Sequence, residues 1–137
     1  MPKILIVDDD AVMVRMYETK FALDGYEVIT ANDGADVIHM AKNHLPNLIL
    51  LDVMMPKVDG LQTLNLLKKN LTTKQIPVIM LTNVGSSEED AQKAMEMGAV
   101  AYLVKANYTP KEVAQKVKEI MNAYTRELPK VKVKIKL

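Results

Sequence analysis

Apolar runs of four or five residues alternate with longer stretches of helical period along most of this chain. Ile4-Leu5-Ile6-Val7, Leu48-Ile49-Leu50-Leu51, Val78-Ile79-Met80-Leu81 and Ala101-Tyr102-Leu103-Val104 are nearly continuous hydrophobic runs. Strands buried on both faces of a parallel sheet read this way, and helical segments between them complete a βαβ pattern. The spacing predicts strands near 3–8, 26–31, 47–52, 76–81 and 100–104. It predicts helices near 11–24, 34–44, 60–70, 87–97 and 111–124. Glu27-Val28-Ile29-Thr30 is the most polar of the five runs and belongs at a sheet edge.

Punctuation between the runs supports these elements. Asp59 with Gln62, and Ser86 with Glu89, have the spacing of an N-terminal capping box. Thr109-Pro110-Lys111-Glu112 adds a proline at the first helical position. Gly25 and Gly98 stand where left-handed caps would end two helices. The last helix carries an apolar stripe of Val113, Val117, Ile120, Met121 and Tyr124. Residues 1–125 therefore form one α/β domain, and 126–137 a separate tail. In that tail Lys130, Lys132, Lys134 and Lys136 alternate strictly with Val131, Val133, Ile135 and Leu137, after Pro129. At strand period this gives one lysine face and one aliphatic face. The expectation is docking along a sheet edge of the same or a second molecule, with a solvated terminus as the plain alternative.

Composition narrows the classes of function. The chain has 137 residues, 49 % hydrophobic and 26 % charged, which is ordinary for one globular domain. Ten methionines against six aromatics (five Tyr, one Phe) make the core aliphatic and deformable. A net charge of +1 gives no argument for nucleic acid or an anionic membrane. With no cysteine, disulfides, thiolate catalysis and Cys-ligated metal centres are excluded. Neither a signal peptide nor an apolar run of membrane-spanning length occurs, so the chain reads as cytoplasmic.

Candidate chemistry sits at the ends of the apolar runs. They stop at Asp8-Asp9-Asp10, Asp52, Thr82 and Lys105. Parallel strands would gather these side chains at the carboxyl edge of the sheet, where open α/β folds place their ligand crevices. Two carboxylates about 4 Å apart repel by roughly 4 kcal/mol at an effective dielectric near 20. Three together want a cation, and an oxygen-only donor set favours magnesium, manganese or calcium. The pattern is that of a metal-assisted acyl- or phosphoryl-handling pocket. No Gly-rich phosphate loop for a nucleotide accompanies it.

Five elements in order carry a family resemblance: Asp8-Asp9, Asp52 with Pro56, Asp59-Gly60, Thr82 and Lys105. From residue 3 to about 124 the chain resembles the receiver domain of two-component response regulators, in particular the single-domain, chemotaxis-regulator-like kind. The resemblance implies a flavodoxin-like, five-stranded parallel sheet in order 2-1-3-4-5 with helices on both faces. It implies Asp52 as phosphoacceptor, and Mg2+ (Mn2+ as the substitute) held by Asp9, Asp52, the Met54 backbone carbonyl and, through water, Asp8. Lys105 would pair with phosphoryl oxygens, Thr82 would hydrogen-bond one of them, and Tyr102 would be the aromatic switch. Phosphoryl would come from a histidine kinase or a histidine phosphotransfer protein, and self-catalysed transfer and loss would make the protein a phosphoacceptor rather than an enzyme. The surface of the fourth helix, fifth strand and fifth helix would change. With no output or nucleic-acid domain in the chain, the response would be read by a separate protein or by the tail, a homodimer through a sheet edge or the tail being one arrangement.

Ala106 and Asn83 depart from the family pattern, and Met54 and Val84 fill two of its variable positions. Ala106 stands where a proline follows the lysine. A cis bond there would cost ~3–4 kcal/mol, against ~0.5–1 before proline, which leaves open a trans bond with a shifted loop. Asn83 stands where a small residue is usual after Thr82. Met54 and Val84 occupy the positions that flank the attacking water and cannot orient it, so a phosphoryl group at Asp52 should be lost slowly.

Blander readings stand beside these. Asp10 reads as a helix N-cap, His39 and His44 as solvated helix residues, and the helical Met set as packing. Tyr102 has the alternative of a half-buried strand aromatic. Two rival functions are a haloacid-dehalogenase-like aspartate-nucleophile phosphatase, using Asp8 and Asp10 as its D-x-D pair, and a receiver-like adaptor that is never phosphorylated. The first leaves Asp52-x-x-x-Pro56 unexplained, and the second leaves the full acidic set and Lys105 without a purpose.

Overall fold

Each apolar run becomes a strand of one sheet in the computed structural model, which describes residues 1–55, 58–83 and 88–126. Expectations resting on Pro56, Val84, Ser86 and the 129–137 segment lie outside the described residues. The strands are β1 (Lys3–Val7), β2 (Glu27–Ala31), β3 (Leu48–Asp52), β4 (Val78–Thr82) and β5 (Ala101–Val104). All pairings are parallel and the order is β2-β1-β3-β4-β5, as expected. Every residue of β3 and β4 is buried, whereas only the last residue of β2 is. The polar run therefore does lie at an edge, where one flank of the strand has no neighbouring strand among the described residues.

Among the described residues four α-helices connect the strands, α1 (Ala11–Leu23), α2 (Gly34–His44), α3 (Gly60–Lys69) and α4 (Glu88–Glu96), and a fifth, α5 (Pro110–Arg126), follows β5. Side-chain alternation divides the sheet's residues between two cores. Ile4, Ile6, Leu48, Leu50 and Ile79 pack with Tyr17 and Phe21 of α1 and with Val113, Val117 and Ile120 of α5. Leu5, Val7, Ile49, Leu51, Val78 and Met80 pack on the other face with Val37, Leu64, Leu67 and Ala94 from α2, α3 and α4. Each such aliphatic side chain, taken fully out of water, contributes ~1.5–3 kcal/mol. Truncating a central one such as Ile79 to alanine would cost ~2–5 kcal/mol.

Helix starts follow the sequence closely. The Asp10 carboxylate accepts from the amides of Val12 (3.0 Å) and Met13 (3.3 Å), so it is the N-cap of α1. Asp59 caps α3 through Leu61 N at 2.9 Å. At α5 the Thr109 amide donates to Glu112 Oε1 (2.9 Å), and the Glu112 amide donates to Thr109 Oγ1 (3.1 Å). Those bonds hold the Glu112 carboxyl below its ordinary range. Gly25 and Gly98 have φ of 94° and 110°, the left-handed conformation that only glycine takes without strain.

Two local features go beyond the expected elements. Met54–Met55 and Val58–Asp59 pair as a short antiparallel hairpin just after β3. After β5 the chain turns through a 3-10 segment, Lys105–Asn107, and no cis peptide occurs among the described residues. The Lys105–Ala106 bond is thus trans.

Candidate functional site

β1, β3, β4 and β5 all end at the same edge, and their last residues set the site. Asp52 closes β3 in register with Leu81, and Thr82, one residue on, pairs with Val104. Lys105 follows directly, and Asp8 and Asp9 follow Val7. Carboxylate oxygens of Asp8, Asp9 and Asp52 lie within 4.8 Å of one another, with Asp8 and Asp52 buried and Asp9 exposed. Lys105 Nζ lies 2.7 Å from Asp8 Oδ2 and 3.4 Å from Asp52 Oδ2, its side chain only 9 % exposed. Asp8 is held from its other side by the Asp10 amide, which donates to Oδ1 at 2.9 Å.

Electrostatics explains the arrangement. Burial alone would pull the Lys105 pKa down, but the hydrogen bond to Asp8 and the charges of Asp52 and Asp8 outweigh it and hold the pKa above its ordinary value. Lys105 is therefore a fixed ammonium. Three carboxyl groups against one ammonium still leave an excess of negative charge, and each carboxylate pair at this separation repels by roughly 3–4 kcal/mol. An all-oxygen cluster with that excess fits a hard divalent cation, with Asp8, Asp9 and Asp52 as the residues to hold it. An open cavity of about 500 Å³ begins at Asp8 and Asp9 and continues past Arg15, Glu18 and Asp36, so the cluster is reachable from solvent.

Thr82 and Tyr102 complete the set. Thr82 is fully buried and Tyr102 is 8 % exposed, and both hydroxyls are buried with no hydrogen-bond partner among the described residues. Thr82 continues the alternation of Val78 and Met80, and Tyr102 packs in the same core as those two. Both hydroxyls thus belong to one side of the sheet. The backbone of Met54 lies in the hairpin beside Asp52.

Two contributors were not singled out from sequence for what they do. Tyr17, fully buried on α1, has its phenol pushed up to about 12 by burial and then by the Asp8 charge. Its helical spacing to Phe21 signals burial, but nothing in the sequence places it near Asp8. Gly60 has no room for a side chain. A Cβ there would lie 2.6 Å from Val53 Cα and 2.8 Å from Val53 O, and closer still to the Asp52 carbonyl. The Gly60 amide donates to Val53 O at 2.9 Å. The start of α3 is thereby packed directly on the backbone that carries Asp52.

An open parallel α/β sheet with a buried acidic cluster and one lysine at its carboxyl edge defines a phosphoryl-signalling class of domain rather than a nucleotide-binding one. Residues 4–118 match the response regulator receiver domain. A probable transcriptional regulator, ycf27, of Porphyra purpurea is 40 % identical over 119 residues, covering 87 % of this chain and 47 % of that protein. The alkaline phosphatase synthesis transcriptional regulatory protein PhoP of Bacillus subtilis is 38 % identical over the same share of this chain and 48 % of its own. Among solved structures, a CheY-like response regulator receiver domain protein from Methanospirillum hungatei superposes with a TM-score of 0.85 at 28 % identity, covering 93 % of this chain and 99 % of that one. The chain belongs to the receiver domain family of response regulators. It is a phosphoacceptor signalling domain of the two-component type, a family that takes phosphate from histidine kinases and binds Mg2+ through an acidic pocket. The chain spans about half the length of the curated relatives it matches. Among the described residues no helix is long and apolar enough to cross a membrane.

Proposed function

We propose that Asp52 is the phosphoacceptor, with Lys105 and Thr82 as the groups that stabilise the transferred phosphoryl. The observation that carries this reading is Lys105 within bonding distance of both Asp8 and Asp52. The same ammonium would turn from Asp8 toward a phosphoryl oxygen once Asp52 is modified. A carboxylate oxygen of Asp52 attacks the phosphorus of a phosphohistidine in line, forming a P–O bond as the P–N bond breaks. The electron pair of the broken bond stays on the imidazole nitrogen, which then takes up a proton. Asp8, Asp9, Asp52 and the Met54 carbonyl would hold Mg2+, or Mn2+ in its place, and the ion when bound offsets negative charge on the carboxylates and phosphoryl oxygens.

Thr82 Oγ1 enters with no hydrogen-bond partner among the described residues, so it is available to donate to a phosphoryl oxygen. Tyr102 would follow that movement, because its own hydroxyl is equally unsatisfied in the same core. The helix α4–β5–α5 surface would then be read by a downstream protein. The donor would be a histidine kinase or a histidine phosphotransfer protein, and transfer from a small phosphoramidate would proceed without either, because the nucleophile and its stabilising groups belong to this chain. In the rival phosphatase reading Asp10 would supply the second carboxylate of a D-x-D pair. Its carboxylate is instead engaged by the amides of Val12 and Met13.

The test is phosphorylation with a small phosphoramidate in Mg2+, followed by borohydride trapping and peptide mass spectrometry. Label at Asp52, lost in Asp52→Asn, is expected. Label at Asp8, or steady turnover of a phosphomonoester, would overturn the assignment.

A further inference from the structure

α2 and α3 pack side by side on one face of the sheet, and their seam carries an apolar strip that the fold leaves in solvent. Leu45, Leu66 and Leu71 are 57 %, 51 % and 79 % exposed. Neighbouring contacts fix where they lie. On α3 the Lys68 stem reaches Gly98, at the turn from α4 into β5. Leu66, two residues away and roughly 160° around the helix, therefore faces α2. On α2, Met40 faces the cavity it shares with Arg15 and Thr30. Ile38 and Lys42, each two residues from Met40, therefore face α3.

Both helices start at the carboxyl edge of the sheet and run parallel. Counted from Gly34 and Gly60, Lys42 and Lys69 stand at nearly the same height, with Leu45 and Leu71 level with each other just beyond them. Neither of those leucines is exposed by fraying. Leu45 holds φ of 45°, a left-handed conformation that favours glycine, and its amide donates to Ala41 O at 3.0 Å. Leu71 projects from a turn in which the Thr72 amide donates to Asn70 Oδ1 (2.9 Å) and the buried Thr73 hydroxyl to Leu67 O (2.7 Å). The fold thus bears the strain at Leu45 without burying its side chain.

Charge selects the occupant. Between Asp36 and Glu88 the only carboxylates are Asp52, which is buried, and Asp59, which caps α3 at its other end. Lys42, Lys69 and Lys74 are exposed around the strip. A helix with an apolar stripe flanked by carboxylates matches this pattern and fits the trough between two parallel helices. Anchors at i and i+4, ~6 Å apart, approximate the ~7 Å from Leu66 to Leu71. Three cations are fewer than the roughly four to eight that hold a protein on an anionic membrane. A second copy fits poorly: α4, its most acidic helix, exposes Glu88, Glu89, Gln92, Lys93 and Glu96 and no apolar residue.

We propose that the α2–α3 seam docks an acidic amphipathic helix of another protein, with Leu45, Leu66 and Leu71 as apolar contacts and Lys42 and Lys69 as charge contacts. The strip lies at the amino end of the sheet, the opposite end from Asp52 and Thr82, so docking is independent of the state of the acidic site.

An NMR titration of the full chain tests this. The probe is a synthetic helical peptide of about 18 residues, with leucines at i, i+3, i+4 and i+7 and glutamates between them. Amide shifts should be confined to 38–45 and 62–74, persist in beryllium fluoride and magnesium, and weaken with salt. Leu66→Ser and Leu71→Ser should each weaken binding about tenfold with the fold intact. Leu45→Gly should weaken binding yet raise the thermal midpoint, which separates the contact from a structural role. Absence of binding, or its loss in beryllium fluoride, would overturn the proposal. So would equal binding of the same peptide with lysines in place of glutamates. Vesicles of phosphatidylserine that shift the same amides would give the seam to a membrane, and self-association abolished by Leu71→Ser would give it to a second copy; either result equally overturns it.

Discussion

Lys105 Nζ is 2.7 Å from Asp8 Oδ2, so the lysine's stronger contact is with a carboxylate other than the expected phosphoacceptor, 97 residues away in the chain. This ion pair ties the end of β5 to the end of β1 across β3 and β4. Removing the ammonium leaves Asp8 and Asp52 buried without their shared cation. Breaking a buried pair in this way costs ~3–5 kcal/mol. Lys105→Met should therefore lower metal-free stability by about 3 kcal/mol in urea denaturation. Magnesium at 100 times its dissociation constant should restore up to ~2.7 kcal/mol. A loss below about 1 kcal/mol would mean that the pair is solvated.

Asp9 differs from its two neighbours in being exposed, and the Lys105 contacts go to Asp8 and Asp52. Asp9→Ala should accordingly cut magnesium affinity by at least tenfold in calorimetry while leaving the metal-free fold intact. It also removes one member of a repelling cluster, so the metal-free variant should be at least as stable as its parent. Unchanged magnesium affinity would remove Asp9 from the ligand set.

Gly60 separates two effects of opposite sign. On helix propensity alone, Gly60→Ala would stabilise α3 by ~1 kcal/mol. The Cβ would instead collide with backbone atoms of Asp52 and Val53, which cannot rotate away as a flexible side chain would. Overpacking typically costs ~1–3 kcal/mol. We expect net destabilisation, measured by chemical denaturation, with slower phosphoryl uptake because the Asp52 backbone must shift. An increase in stability would show that the start of α3 can move.

How far the sequence carried this reading depended on the range of the interactions involved. Local signals survived intact: the Thr109–Glu112 capping bonds, the Asp10 and Asp59 caps and the left-handed Gly25 and Gly98 each depend on a few consecutive residues. The strand order followed from the family resemblance and the polar edge run, and the gathering of Asp8, Asp52, Thr82 and Lys105 followed from both. The hairpin at 54–59 was not legible, because two-residue strands carry no period to read. Neither was the closeness of Tyr17 to Asp8, nor the preference of Lys105 for Asp8 over Asp52, since both depend on how α1 and the turn after β5 settle in three dimensions. The trans Lys105–Ala106 bond resolves an alternative that the sequence left open.

Tyr17 gives a pH dependence with a defined sign. Its phenol titrates at about 12 in the folded chain against 10.0 ordinarily. Below pH 10 it is protonated whether folded or unfolded, and its contribution is complete. Above pH 10 the unfolded chain loses the proton first, so stability falls as the pH rises toward 12. Two units correspond to about 2–3 kcal/mol. Stability measured between pH 9 and 12 should fall less steeply by that amount in Tyr17→Phe. Parallel curves for the two proteins would mean that the phenol reaches solvent.

Thr82 and Tyr102 pose the opposite case, two buried hydroxyls that stabilise nothing in the resting fold. A buried hydroxyl with no partner costs ~1–3 kcal/mol. Both are fully shielded by the core around Met80 and lack partners among the described residues. Thr82→Val and Tyr102→Phe should therefore each raise metal-free stability by about 1 kcal/mol, against the usual direction for core substitutions. If Thr82 donates to a phosphoryl oxygen, the same valine should weaken stabilisation by beryllium fluoride and magnesium, whereas Tyr102→Phe should leave beryllium fluoride binding nearly unchanged and alter only the amide shifts of β5 and α4. Thermal denaturation with and without the phosphoryl analogue separates these effects. A Thr82→Val protein that is less stable at rest, yet gains as much from beryllium fluoride as its parent, would make Thr82 a structural hydroxyl and return the switch to Lys105 alone.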